Sequence, residues 1–230
     1  MDAAERELYA KAVVAALPTG DVSLFRDAVA EDPTPATAVW FEIQGALNAV
    51  TDALGVLAPL ERETGVGIDP AFGRVTLPAL DDDTLAAVRR ALCHELVGAS
   101  TAMLHLARDH ALARVQFGVP IASFQAVRHR LADSHVAIDA AKHALSGAWA
   151  DGGPFAATVA KATAGRSARL VARHAQQVLA GIGFTAEHPF HHHFRRVRVL
   201  DHLAGDTKSL TREIGAQLLT ARRLPDPLPL

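Results

Sequence analysis

Two separated stretches of the chain carry residue types that can bind phosphate groups. Arg114 stands near the end of a helical pattern, and a guanidinium offers a fixed fork of donors that suits phosphate oxygens. Gly181 and Gly183 flank a single isoleucine, and the missing Cβ atoms let backbone N–H groups approach an anion closely. Each stretch also has a structural explanation, because cations stabilise helix C-termini and glycines end helices. Neither stretch alone decides between ligand binding and an ordinary helix end.

A histidine cluster near residue 190 raises the question of a metal site. His188 and His192 are four residues apart, which places a workable pair of ligands on one helix face. No third ligand occurs at a suitable spacing, and adjacent histidines point to different sides of a helix. We therefore interpret the cluster as a polar helix face and predict no metal site. Cys93, the only cysteine, is predicted to be a small core residue and not a nucleophile.

The composition is that of a folded protein with balanced charge. The 230 residues include 23 Lys plus Arg and 25 Asp plus Glu, which gives a net charge of −2. A nearly neutral chain argues against nucleic acid as the main partner, because phosphate backbones require a basic surface. No apolar run reaches the roughly 18 residues of a membrane span, and the acidic start of the chain does not resemble a secretory signal. With its single cysteine, the sequence favours a cytoplasmic protein without a membrane partner.

Helical periodicity dominates the chain after residue 80 and predicts an all-α, up-down helical bundle. A long helix is predicted from Thr84 to about Gln116, because apolar residues recur at steps of three and four after acidic cap residues. Along the next helix apolar residues stand seven apart, which favours near-antiparallel packing. Further helices are predicted over residues 154–180, 187–203 and 207–222.

The residues before the bundle are predicted to form a short attachment of helices and an extended remnant. Three segments follow from these patterns: an attachment over 1–80, the bundle over 81–222, and a Pro-rich tail over 223–230. Within the attachment, the predicted elements are short helices over 2–17 and 21–31, an amphipathic helix over 40–54, and a hairpin or extended segment over 65–80.

Two motifs in the bundle closely resemble the acyl-CoA dehydrogenase family. The first is Ala113-Arg-Val-Gln-Phe-Gly-Val-Pro-Ile121, followed by Phe124-Gln125. The second is Gln177-Val-Leu-Ala-Gly-Ile-Gly-Phe-Thr-Ala-Glu-His-Pro189, in the order and at the separation that the family shows. Either motif alone has little specificity, whereas two motifs in register within one helical scaffold make a strong resemblance. The resemblance covers roughly residues 84–222, the C-terminal bundle of that family.

The resemblance implies a flavin site at a subunit interface. In that family the bundle holds FAD, with one set of residues against the pyrophosphate and adenosine portion of a neighbour's flavin. A second set is expected to contact FAD from the other side of the dimer. The expected FAD-binding residues are Arg114, Gln116, Phe117 and Gln125 in the first set, and Gln177 and Gly181 in the second.

The same resemblance reveals a missing catalytic base. The family's reaction removes an α-proton from an acyl-CoA while a β-hydride moves to the flavin, so a carboxylate must reach the α-carbon. Reading on from the second motif places Ala204-Gly-Asp206 over the family's Glu-Gly-Thr, so Ala204 stands where the base is expected. The alternative position, on the first bundle helix, falls near Val88 and also lacks a carboxylate. Asp206 and Glu95 are the acids nearest to these positions, and Asp206 is interpreted as structural.

Three functional interpretations follow from the resemblance. Complete members add a helical domain and a β-domain before the bundle, and residues 1–80 are too few for both. The leading interpretation is a truncated subunit of a heteromeric, actinobacterial-type acyl-CoA dehydrogenase, acting on a fatty or steroid acyl-CoA, whose full-length partner supplies the flavin cover and the base. The alternative is a degenerate scaffold or acyl-CoA-binding homologue that binds no flavin and forms a homo-oligomer. A third interpretation is a self-sufficient small dehydrogenase that uses Asp206 or Glu95.

Overall fold

Helices account for most of the computed structural model, which describes residues 1–59, 61–63 and 74–223. Two short antiparallel hairpins interrupt them, β1 (Glu61–Glu63) with β2 (Arg74–Thr76), and β3 (Val115–Gln116) with β4 (Val119–Pro120). The helices are α1 (Ala3–Ala16), α2 (Ser23–Glu31), α3 (Pro33–Ala46), α4 (Ala53–Leu57), α5 (Asp82–Ala113), α6 (Gln125–Asp151), α7 (Pro154–Leu179), α8 (Phe190–His202) and α9 (Thr207–Ala221).

The three longest helices, α5, α6 and α7, pack on one another and form the centre of the bundle. Helix α5 begins where the Asp81 carboxylate accepts a hydrogen bond from the Thr84 backbone N–H at 2.9 Å, as the sequence predicts. It ends at Ala113, slightly earlier than predicted, because the next residues pair as a strand. Cys93 is fully buried in the core. The prediction of an all-α helical bundle is confirmed.

The amphipathic helix predicted over 40–54 is wrong in its bounds. Helix α3 starts at Pro33, where a proline is tolerated because the first helical N–H groups need no helical partner, and it ends at Ala46. Asn48 then adopts a left-handed backbone with φ 51°, a conformation that ends helices. The apolar residues after it belong to the separate helix α4.

Two glycines bring α3 and α5 into backbone contact. A Cβ atom added at Gly45 would lie 2.1 Å from the Glu95 carbonyl oxygen, and one added at Gly98 would lie 2.0 Å from the Glu42 carbonyl oxygen. No larger residue fits either position without moving the helices apart. The N-terminal helices therefore share a continuous core with the bundle.

A buried ion pair ties this junction to α8. Arg196 is fully buried, and its Nε donates to Glu95 Oε1 at 2.6 Å while its Nη2 donates to the Ala49 carbonyl oxygen at 2.9 Å. The pair joins α5, α8 and the residues after α3. Burying two opposite charges is tolerated here because each satisfies the other.

Several sequence predictions fall partly or wholly outside the described residues. The strands β1 and β2 pair as an antiparallel hairpin that begins at Glu61, and residues 64–73 between them are not described. The Pro-rich tail likewise lies outside the described residues, apart from its first position. Among the described helices, none combines the length and the apolar character needed to cross a membrane.

Candidate functional site

The hairpin between α5 and α6 projects an aromatic side chain into solvent. Phe117 and Gly118 both have positive φ angles, 54° and 81°, which is the pattern of a two-residue type I′ turn. Phe117 is 91% exposed, and its ring meets the Phe124 ring edge to face at 6.1 Å between centroids. A large side chain at positive φ is unfavourable, so the turn does not explain the choice of phenylalanine.

The hairpin forms one wall of a groove of about 730 Å³, which we call the hairpin groove. Five of the six residues predicted to bind flavin line it, and Gln125, the sixth, stands beside it as the first residue of α6 without lining it. The two motifs therefore meet in one groove of one chain, although the sequence predicts that they face a flavin from opposite sides of a dimer. The five lining residues are Arg114, Gln116, Phe117, Gln177 and Gly181.

The hairpin groove is basic and apolar. Arg114 and Arg130 line it, and none of its described lining residues is a carboxylate. Burial, together with the charge of Arg114, lowers the pKa of His110, which favours its neutral form. The sequence did not single out Ile121, Phe124 and Arg130 as lining residues. Ile121 and Phe124 could have been found, because both belong to the first motif.

The second motif ends α7 at the edge of this groove. Ala180 takes a positive φ of 52° and opens a short 3₁₀ turn, Ala180–Phe184, that carries Gly181 to the surface. A Cβ added at Gly181 would meet none of the described atoms within 4 Å, so the space in front of this residue is open to a ligand. Gly183 differs, because a Cβ there would approach the Gln176 amide at 2.6 Å.

Two basic side chains donate hydrogen bonds to the loop after α8, where the catalytic base was expected. Arg89 donates from Nε to the Ala204 carbonyl oxygen at 3.1 Å. The buried Lys161 donates from Nζ to the carbonyl oxygens of Asp201 at 3.0 Å and Gly205 at 3.3 Å. Burial lowers the pKa of Lys161 to about 8. Ala204 itself has a positive φ of 55°, so the loop is held in an unusual conformation.

Both acids considered as substitute bases make other contacts. Asp206 caps α9, and its Oδ1 accepts from the backbone N–H groups of Ser209 at 3.1 Å and Lys208 at 2.9 Å. The hydrogen bonds from Ser209 lower the pKa of Asp206, which weakens it as a base. The Glu95 carboxylate is buried and paired with Arg196.

A second groove of about 730 Å³ lies on the other side of the Gln177–Gly181 edge. Helix α7 contributes Arg169 and Arg173 to it, and α8 contributes Arg198 and His202. We call it the arginine groove. It shares Gln177, Ala180 and Gly181 with the hairpin groove, and the sequence motifs point to neither Arg169 nor Arg173.

The histidine cluster does not assemble ligands in the part of the chain that is described. No group of three His, Cys, Asp or Glu side chains there could hold a metal ion. The rings of His191 and His192 lie 3.9 Å apart between centroids, and burial lowers the pKa of His193 to about 4.

The fold is a helical bundle with an exposed groove at the end of its long helices. The model for the C-terminal domain of acyl-CoA dehydrogenases matches residues 80–219, more than half of the chain. The chain therefore belongs to the acyl-CoA dehydrogenase family.

Among its relatives, acyl-CoA dehydrogenase IpdE2 of Mycobacterium tuberculosis is 34% identical over 127 residues, which cover 55% of this chain and 40% of that protein. IpdE2 of Mycolicibacterium smegmatis is 32% identical over 60% of this chain and 45% of that protein. The chain thus spans less than half the length of these relatives.

Solved structures agree on the fold. The butyryl-CoA dehydrogenase of Megasphaera elsdenii is 28% identical, with a TM-score of 0.57 over 60% of this chain and 37% of that one. The Tcur3481-Tcur3483 steroid ACAD has a TM-score of 0.77 over 95% of this chain and 98% of that one. At 19% identity the second likeness speaks for the fold alone.

Proposed function

We propose that this chain is a subunit of an FAD-dependent acyl-CoA dehydrogenase that holds the adenosine diphosphate end of the flavin. One observation carries the proposal: the two family motifs converge on a single groove that is basic, apolar and free of lining carboxylates among the described residues. When bound, FAD supplies the hydride acceptor for α,β-dehydrogenation of an acyl-CoA thioester. The substrate of this chain's complex would be a fatty or steroid acyl-CoA, as the resemblance implies.

The residues of the hairpin groove fit that end of the cofactor. Arg114 supplies the guanidinium for the pyrophosphate, because a planar fork of donors matches phosphate oxygens. Phe117 and Phe124 supply exposed ring surface against which an adenine can stack. The open space in front of Gly181 leaves room for the phosphates to approach the chain.

The base comes from a partner chain in this proposal. Ala204 cannot accept a proton, Asp206 is occupied as a helix cap, and Glu95 is paired in the core. General-base catalysis contributes roughly 10²–10⁴ in rate, so a dehydrogenase without one requires the carboxylate from elsewhere. These contacts also disfavour the self-sufficient small enzyme.

Co-expression with a full-length homologue that retains Glu-Gly-Thr, encoded by a neighbouring reading frame, tests the proposal. We expect the complex to absorb between about 350 and 500 nm. This absorbance comes from bound flavin and not from either polypeptide chain. Arg114→Ala should lower the flavin content at least about tenfold while the complex stays intact, because a charged hydrogen bond to phosphate is lost. Arg128→Ala is the matched control, since Arg128 is exposed on α6 and outside the groove.

A colourless complex that still assembles would contradict the flavin role and support the alternative of a non-catalytic scaffold. Unchanged flavin content in Arg114→Ala would contradict the assignment of the groove. A coloured homo-oligomer of this chain alone would show that no partner is needed to retain the cofactor.

A further inference from the structure

A cavity of about 380 Å³ lies where α3 and α6 both pack against α5, and we call it the interhelical cavity. Its lining includes Glu42 of α3, His94 of α5, and Lys142 and Trp149 of α6. It shares no lining residue with the hairpin groove or the arginine groove. Its volume falls within the range of sites that bind small molecules.

The cavity has charges of opposite sign on two of its walls. Glu42 and Lys142 both line it, one from α3 and the other from α6. Within the described residues they form no ion pair with each other or with any other side chain. This includes Arg6 of α1, which lines an adjoining surface together with Glu42. Two separated, uncompensated charges of opposite sign complement a ligand that carries one charge of each sign.

His94 adds a buried hydrogen-bond donor to this cavity. The residue is 8% exposed, and its Nε2 accepts a hydrogen bond from Trp149 Nε1 at 3.0 Å. Burial, together with the charge of Arg6, lowers the pKa of His94 to about 4, so the ring is neutral at pH 7 and carries its proton on Nδ1. No acceptor for this N–H is present in the part of the chain that is described. A ligand carboxylate would satisfy it.

The remaining lining supplies an apolar wall. Val97 and Leu145 are buried beside the cavity, and Trp149 presents its indole ring to it. The Arg90 guanidinium lies 4.7 Å from the centroid of the Trp149 ring, and the bond to His94 fixes the indole nitrogen. The indole is therefore held in place before any ligand binds, which lowers the entropic cost of binding.

We propose that the interhelical cavity binds a small zwitterion, namely an α-amino acid with an apolar side chain. Lys142 and the Nδ1–H of His94 bind its carboxylate, and Glu42 binds its ammonium group. The apolar wall formed by Val97, Leu145 and Trp149 contacts its side chain. None of these residues takes part in the proposed flavin site, so this binding site goes beyond the proposed function and does not depend on it.

Calorimetric titration of the full chain with leucine and phenylalanine tests the proposal. Two analogues of leucine separate the charges, because isocaproate lacks the ammonium group and isopentylamine lacks the carboxylate. We expect leucine to bind at least about tenfold more tightly than either analogue, since each analogue loses one charged contact.

Substitutions assign each charge to its wall. Lys142→Gln and Glu42→Gln should each lower the affinity for leucine at least about tenfold. Lys142→Gln should not weaken isopentylamine further, because that ligand has no carboxylate to lose. Lys208→Gln and Glu31→Gln are the matched controls, at exposed positions outside the cavity, and should bind leucine as the parent does.

Three results would overturn the proposal: no binding of either amino acid by the parent at millimolar ligand, equal affinity for leucine and isocaproate, or unchanged leucine affinity in Lys142→Gln. Lys142 is exposed, so circular dichroism should show this variant folded even if Glu42→Gln is not. Arg114→Ala, which should lose flavin in the partner complex, should bind leucine as the parent does. The two proposals therefore fail separately.

Discussion

The resemblance to the family places the catalytic base in the loop at Ala204 and flavin contacts in the hairpin at Phe117. These two regions are built in opposite ways. The loop carries an alanine at position 204, and Arg89 and Lys161 hold its backbone from the interior. The hairpin keeps the residues of its motif, yet Phe117 stands almost fully in solvent. The loop is fixed by buried donors, whereas the hairpin leaves its largest side chain without a covering partner within the described residues. In the proposed function, the loop keeps its shape without supplying a base, and the exposed side chains of the hairpin gain partners when the flavin or another chain covers them.

The largest effect should come from breaking the buried ion pair between Glu95 and Arg196, which joins α5 to α8. Arg196→Leu leaves the Glu95 carboxylate buried without its partner, which should lower the free energy of unfolding by about 3–5 kcal/mol. Urea unfolding followed by circular dichroism measures this loss. Glu95→Leu/Arg196→Leu should recover most of it, because no uncompensated charge remains. A double variant as unstable as the single one would show that packing, and not charge, dominates the junction.

A smaller loss of stability is expected at acidic pH, and it also comes from a buried residue. Burial lowers the pKa of His94 to about 4, and His94 Nε2 accepts a hydrogen bond from Trp149 Nε1 at 3.0 Å. Between the unfolded pKa of about 6.5 and the folded one, the unfolded chain binds the extra proton, so stability falls as the pH falls. At pH 5 the loss from this residue should be about 2 kcal/mol relative to pH 7.

His94→Gln keeps an acceptor for Trp149 and removes the titration, so its unfolding free energy should depend less on pH between 7 and 5. Urea midpoints at both pH values measure the difference. His143→Gln, on the exposed face of α6, is the control and should keep the parent's pH dependence. Equal pH dependence in His94→Gln and the parent would show that other buried groups, such as His193, carry the acid sensitivity.

At the loop itself, Asp206→Ala tests whether Asp206 acts as a helix cap or as a catalytic base. Loss of the side-chain acceptor at the start of α9 should cost about 1 kcal/mol of stability. Turnover of acyl-CoA by a flavin-loaded complex should be unaffected beyond that cost. Asp206→Asn, which keeps a capping oxygen without an ionisable carboxyl, should restore the stability. Turnover abolished in both variants would instead make Asp206 a catalytic acid or base.

The smallest change in stability is expected in the hairpin at Phe117, and it is a gain and not a loss. Phe117→Asn places a residue that tolerates positive φ in the turn, which should raise the free energy of unfolding by about 0.5–1 kcal/mol. The same substitution removes the exposed ring, so flavin content of the partner complex should fall. A more stable protein with unchanged flavin content would show that the exposed ring has no part in binding.

The sequence predicts the bundle well because its signals are local. Acidic capping before Thr84 and the glycines around Ala180 lie within a few residues of the structure they produce, and both motifs include residues of the hairpin groove. The break after Ala46 was missed because apolar spacing continues across Asn48, whose left-handed backbone the periodicity does not report.

The interior contacts could not be predicted from local patterns. Glu95 and Arg196 are 101 residues apart, and nothing in the spacing of either helix indicates that the two charges meet. Lys161 has the residue type of a solvent-exposed position, yet the carbonyl groups at the end of α8 draw it into the core. Asp206 is the exception, because an aspartate directly before a helix is a recognisable cap.

Helices α3 and α5 are in backbone contact at Gly45 and at Gly98, each of which lies against a carbonyl group of the facing helix. A fragment limited to the family's matched domain would leave the α5 surface around Gly98 without its cover and Arg196 without the Ala49 carbonyl oxygen. Helices α1–α4 and the bundle should therefore melt in one transition, with amide protons of α3 exchanging as slowly as those of α5. Shortening this chain to its matched domain would remove part of its hydrophobic core and not merely an appendage.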